Sequence, residues 1–198
     1  MIDTNFKIFV EENISVLNEL TCMYAQYKID LTDGFWDELG RVLSEEIPQG
    51  YNLEQTPKKY EQACKEERIC GWNKRIFNDR VLFIGFADQL KPIKFLHGKW
   101  PIENPWIGVR LELNDSIDEE KKLKDELDRL RSSLSSETKD KAWVLWKFHK
   151  PLDPKILSIV NLHSLLSNEK KRREHIIAIK NELLEWTNII NNALHTSL

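Results

Sequence analysis

Val81-Leu82-Phe83-Ile84-Gly85-Phe86 and Trp106-Ile107-Gly108-Val109-Arg110-Leu111-Glu112-Leu113 are the two stretches whose reading decides the fold. The first is apolar and β-prone throughout, and the second alternates as a half-buried strand does. Ile93 to Leu96 reads as a third strand, joined to the next through a loop with Gly98, Pro101 and Pro105, and Ala142 to Phe148 as a fourth. The links between the first three are too short for helical crossovers, so the pattern predicts a small, mostly antiparallel sheet.

Moving outward from the sheet, the period changes to that of helices. Phe6, Phe9, Val10, Ile14, Leu17, Leu20, Tyr24 and Tyr27 recur at three and four residues, as one buried helix face requires. Leu31-Thr32-Asp33-Gly34 is expected to break that helix. A second run, Phe35 to Ile47, ends at Pro48 and Gly50, so residues 1–48 are predicted to form an antiparallel helical hairpin. Between Asn52 and Asn78 only a short helix from Pro57 through Cys64 is expected.

Ser116 to Ser135 reads as a charged helix with a narrow stripe of Leu123, Leu127, Leu130 and Leu134. Lying between two strands, it is expected to be a crossover packed on one sheet face, touching one neighbour only. After Pro151 and Pro154, Ile156–Leu166 and Asn168–Leu194 read as helices, the latter carrying Ile176, Ile179, Leu183, Trp186, Ile190 and Ala193 in three-four spacing. The expectation is thus a single α+β domain over 1–198. It has the hairpin at 1–48, a sheet with crossover helix at 81–148, and C-terminal helices at 153–196.

Composition narrows the function. A chain of 198 residues with 41% hydrophobic and 31% charged residues is globular in balance and long enough to bury a core. A net charge of −3 gives no global field toward nucleic acid. Cys22, Cys64 and Cys70 match no zinc spacing and read as thiols in a reducing compartment. With no signal-like start and no apolar run of about 18 residues, the chain is expected to be cytoplasmic, with no membrane partner.

The seven tryptophans include three in or beside loops, Trp72, Trp100 and Trp106. Rings interleaved with Lys94, Lys99 and Arg110 could anchor a protein partner or stack on bases, or else close the ends of the core. Trp143 and Trp146 cannot share a strand face by simple alternation, which places one of them near an edge. Lys170, Lys171, Arg172 and Arg173 form a basic run that, with Arg75 and Arg80, could meet a phosphate backbone or simply be solvated.

A metal nuclease needs convergent carboxylates. Asp79, Asp88 and Glu112 stand near strands, but Asn114 occupies the position where a lysine would follow. The histidines show no ligand spacing, although His97, His149 and Asp153 could converge, and no Gly-x-Ser-x-Gly or phosphate-binding glycine motif is present. No catalytic residue, metal or cofactor is expected.

From Trp106 to Leu194 the layout resembles an uncharacterised bacterial domain associated with restriction-type nucleases. It shares a strand of the type Ile107-Gly108-Val109-Arg110-Leu111-Glu112-Leu113, a charged helix, a Trp-containing strand at Lys141–Phe148 and a closing helix at Ile176–Leu194. The resemblance implies a role in bacterial defence or phage counter-defence and transfers no catalytic position. The expectation is a non-enzymatic protein-binding module using Trp100, Trp106 and Arg110. The alternative is a nucleic-acid-binding or degenerate nuclease-like protein using the basic residues. The stripe at 176–193 could face the core or a homodimer partner.

Overall fold

The computed structural model describes residues 4–56, 67–89, 105–112, 117–134, 136, 143–149 and 159–197. The elements are α1 (Thr4–Ser44), β1 (Asn52–Thr56), β2 (Glu67–Arg75), β3 (Val81–Gln89), β4 (Trp106–Arg110), α2 (Asp118–Ser133), β5 (Trp143–Phe148), α3 (Ile159–Ser167) and α4 (Glu169–Ser197). The five strands pair antiparallel in chain order, β1-β2-β3-β4-β5. The α+β expectation is met, and the sheet is a meander. Since β4 and β5 are hydrogen-bonded neighbours, α2 links adjacent antiparallel strands and is no crossover.

The helices pack on one face of the sheet. The larger core joins Cys70, Trp72, Ile84, Phe86, Ile107 and Val109 from the strands to Phe35, Trp36 and Leu39 of α1 and the inward stripes of the other helices. On α4 all six of Ile176, Ile179, Leu183, Trp186, Ile190 and Ala193 are buried. The face at 176–193, expected to serve either the core or a second copy, is filled by the chain's own core. Asn168 caps α4 by accepting from the Lys171 amide at 3.0 Å. Helix α2 buries Leu123, Leu127 and Leu134 and touches both α4 and β5, so its stripe meets two neighbours.

The hairpin expected over 1–48 is a single helix of 41 residues. Leu31-Thr32-Asp33-Gly34 does not break it, because contacts of Asp33 and Phe35 with the rest of the molecule hold it. The Thr32 hydroxyl donates back to the Lys28 carbonyl at 2.8 Å, and Asp33 accepts from Arg68 at 2.7 Å. Gly34 costs about 1 kcal/mol in a helix interior, less than the burial of Phe35, Trp36 and Leu39 just beyond it returns.

The polar-looking stretch after Asn52 holds β1 and β2, which the sequence did not announce. The short helix expected at 57–64 and the strand at 93–96 lie outside the described residues. The opposite sheet face carries Ile69, Phe83, Ala87, Trp106, Trp143 and Trp146. A β-bulge at Val109/Arg110 shifts the register of β5 so that Trp143 and Trp146 point the same way. Simple alternation therefore fails here, although both rings stand on β5, an edge strand of the sheet.

Candidate functional site

The residues expected to anchor a partner are built into the molecule. Trp106 is 1% exposed, and its ring meets Trp143 edge-on at 5.7 Å. Arg110 lies over the Phe83 ring at 5.3 Å and pairs with Glu54 at 3.4 Å, tying β4 to β1 across the sheet. Trp72 is buried too, its indole donating to the Leu43 carbonyl at 3.2 Å. Trp100 lies outside the described residues. The pair that the sequence suggested as an aromatic surface is thus a core ring and a half-exposed structural cation.

The basic residues divide. Arg172 donates to Glu38 and to the Leu166 carbonyl, both at 2.7 Å, clamping α1, α3 and α4 together. Arg80 pairs with the buried Glu120 at 3.0 Å. Lys170, Lys171 and Arg173 are exposed at the start of α4. Exposed Arg75 sits on the β2–β3 hairpin, whose neighbour Lys74 stacks on Tyr51 at 5.4 Å. Tyr51 in turn donates to Asn191, near the far end of α4, at 2.9 Å. The run and the hairpin are therefore separated by about 28 Å of helix at ~1.5 Å per residue and do not form one patch.

The carboxylates weighed for a nuclease do not converge: Asp88 is buried while Asp79 and Glu112 are exposed. Among the described residues no three His, Cys, Asp or Glu side chains are grouped to hold a metal. His149 meets His175 at 2.9 Å, a pairing the sequence gave no sign of. His97 and Asp153 lie outside the described residues. Ser164, Lys171, Glu174 and His175 line an open depression of about 530 Å³ between α3 and α4. Cys70 is buried and its thiol is pushed up to about 12 by desolvation, which removes it as a nucleophile.

The feature that remains is the first half of α1. The face that should be buried by its spacing is in the open, with Phe6, Phe9, Ile14, Leu20, Tyr24 and Tyr27 exposed, and so are Val16 and Met23 beside it, Leu20 at 55% and Met23 at 61%. Burial of α1 begins at Lys28 and Ile29 and runs from there to Leu43. Tyr27 meets His163 of α3 at 3.1 Å, and residues 4–26 extend beyond the packed body as a helix about 35 Å long. Such a helix, rich in β-branched and aromatic residues, gains little from propensity, and helices in proteins draw most of their stability from packing an apolar face. This exposed apolar surface makes the first half of α1 the candidate site.

Glu12 and Glu19 flank the face of Phe9, Val16, Leu20 and Met23, and Lys7, Glu11 and Gln26 lie further round the helix together with the exposed Ile8 and Ile14. Glu11, Glu12 and Glu19 make this surface a poor match for a phosphate backbone. No helix among the described residues is long and apolar enough to cross a membrane. No protein-family model, curated protein or solved structure matches the chain. Fold and site together define an α+β protein with a projecting amphipathic helix.

Proposed function

We propose that the chain is a non-enzymatic protein-binding module whose interface is the apolar face of α1 over residues 4–27. The setting we propose for it is the bacterial defence or phage counter-defence that the layout resemblance implies. The observation that supports the binding reading is the exposure of Phe6, Phe9, Val16, Leu20, Met23 and Tyr27 on one helix whose continuation is core. Aromatic and Met side chains at a face of this kind are the usual anchors of helix-in-groove and helix-to-helix recognition.

The nucleic-acid reading has less to support it, since Arg172 and Arg80 are engaged in ion pairs and the remaining cations sit at opposite ends of α4. Light scattering after size exclusion separates the two. Mixed with generic duplex or single-stranded DNA at low and moderate salt, the purified chain is expected to keep the mass it has alone. A salt-sensitive gain in mass would overturn the protein-binding reading and make Lys170, Lys171 and Arg173 the first residues to replace.

A further inference from the structure

The exposed face of α1 has a finer grain than its width. Phe6, Phe9, Asn13, Val16, Leu20, Met23 and Tyr27 alternate at spacings of three and four, an unbroken heptad seam. Asn13 is the one polar member. In the single chain its amide donates to the Phe9 carbonyl at 2.8 Å, the default of a residue with no neighbouring helix.

We propose that the occupant of this face is the same face of a second copy of this chain, with the two α1 helices parallel and in register over 6–27 and the Asn13 side chains meeting at the seam. This rests on the protein-binding reading above and names its partner. Three observations lead there.

The first is area. The six apolar side chains of the seam are about half exposed, and at roughly 200 Å² for a large side chain they leave on the order of 600 Å² per copy, or about 1,200 Å² for the pair. That is at the lower end of what a specific interface buries.

The second is Asn13 itself. A carboxamide carries both a donor and an acceptor, so two of them satisfy each other across a two-fold axis, and a single Asn within an apolar seam fixes register and strand number.

The third is charge. The positions beside the seam are Glu12 and Glu19 on one flank and Val10, Leu17 and Tyr24 on the other. A parallel pair sets Glu12 beside Leu17 of the second copy and Glu19 beside its Tyr24, so that the glutamate methylenes cover the apolar flank. An antiparallel pair brings Glu12 and Glu19 of the two copies face to face, which is repulsive. The seam lies about a third of a turn round α1 from the stripe of Phe35, Leu39 and Leu43 that meets the body, and its last member, Tyr27, touches His163 of α3 at 3.1 Å, so a second helix can dock against residues 6–23 without displacing the core.

The test is light scattering on the full chain across a dilution series, with Leu20→Glu beside it. The wild-type chain is expected at twice its 23.4 kDa at tens of micromolar. Leu20→Glu is expected at the mass of one chain, its dissociation constant raised at least a hundredfold, with unchanged tryptophan fluorescence showing that the body still folds. Leu20→Cys in a Cys22→Ser background is expected to cross-link quantitatively on mild oxidation, because only a parallel, in-register pair brings residue 20 against itself. A wild-type mass of one chain at every concentration would overturn the second copy while leaving the DNA result to judge the binding reading. A mass of three or four chains would overturn the two-stranded form. A dimer whose Leu20→Cys form does not cross-link would overturn the parallel arrangement.

Discussion

His149, just past the end of β5, and His175, in the second turn of α4, meet Nε2 to Nε2 at 2.9 Å. One imidazole must donate and the other accept, so the contact is lost once both rings are protonated. Desolvation pushes His149 down to about 3, with the nearby His175 and Lys147 adding to it. Desolvation also pushes His175 down to about 4. The Phe86 ring stands edge-on to His149 at 5.5 Å, which keeps water from that side.

The pair therefore makes stability depend on pH. The unfolded histidines take up protons from about pH 6.5 downward, whereas the folded pair stays neutral until about pH 4. Stability that is fully present above pH 6.5 is lost as pH falls toward 4, by at most ~1.4 kcal/mol per pH unit per histidine. Urea midpoints measured from pH 7 to pH 4 should fall steeply for the wild type and less for the His149→Gln, His175→Gln double variant. Equal slopes would show that other groups carry the acid sensitivity.

Arg68 of β2 is wholly buried and bonded to Asp33 of α1 at 2.7 Å. Its guanidinium lies 5.0 Å from the Trp36 ring, and the charges of Asp37 and Asp88 act on it as well, against a desolvation that lowers its pKa. Removing the cation leaves Asp88 buried and Asp33 half-buried without it. Arg68→Ala should cost about 3–5 kcal/mol in chemical denaturation, the range for breaking one side of a buried pair. A loss near that of a surface substitution would mean that water reaches the cluster.

The glycines make opposite predictions. Gly71, Gly85 and Gly108 stand side by side across β2, β3 and β4. A methyl at Gly71 would meet the Ile84 carbonyl oxygen at 2.3 Å and the Gly85 Cα at 2.4 Å, whereas one at Gly85 meets the edge of the Phe83 ring at 2.4 Å. Backbone yields less than a side chain, so Gly71→Ala should be the more damaging, with both losses in the range of about 1–3 kcal/mol or above. Gly34 has nothing within 4 Å of the added carbon. Gly34→Ala should raise stability by up to ~1 kcal/mol, since the position is ordinary helix. Thermal melts of the three variants check the order.

Much of the body could be read from the sequence. The six apolar positions of α4 are all buried, and the strands around Val81, Trp106 and Trp143 stand where alternation and β-propensity put them. β1 was illegible because Asn-Leu-Glu-Gln-Thr has no apolar face of its own: Gln55 lies against α1, with its amide donating to the Trp36 carbonyl at 2.9 Å, while Glu54 reaches Arg110 on the other side. Thr32-Asp33-Gly34 imitates a break because those residue types favour turns, and only the tertiary contacts of Asp33 and Phe35 overrule them. The candidate site was misread for a different reason. Helical spacing at Phe6 to Tyr27 is the same whether the face is buried in its own chain or against another, so periodicity revealed the apolar face but not what covers it.

The most direct check is amide hydrogen exchange along α1, compared between residues 4–27 and 28–44 over a range of protein concentrations. The account predicts that 28–44 stays protected throughout, that protection of 4–27 rises with concentration, and that Leu20→Glu abolishes the rise. Protection of 4–27 that matches 28–44 at every dilution would contradict it, by showing that the face is part of the chain's own core.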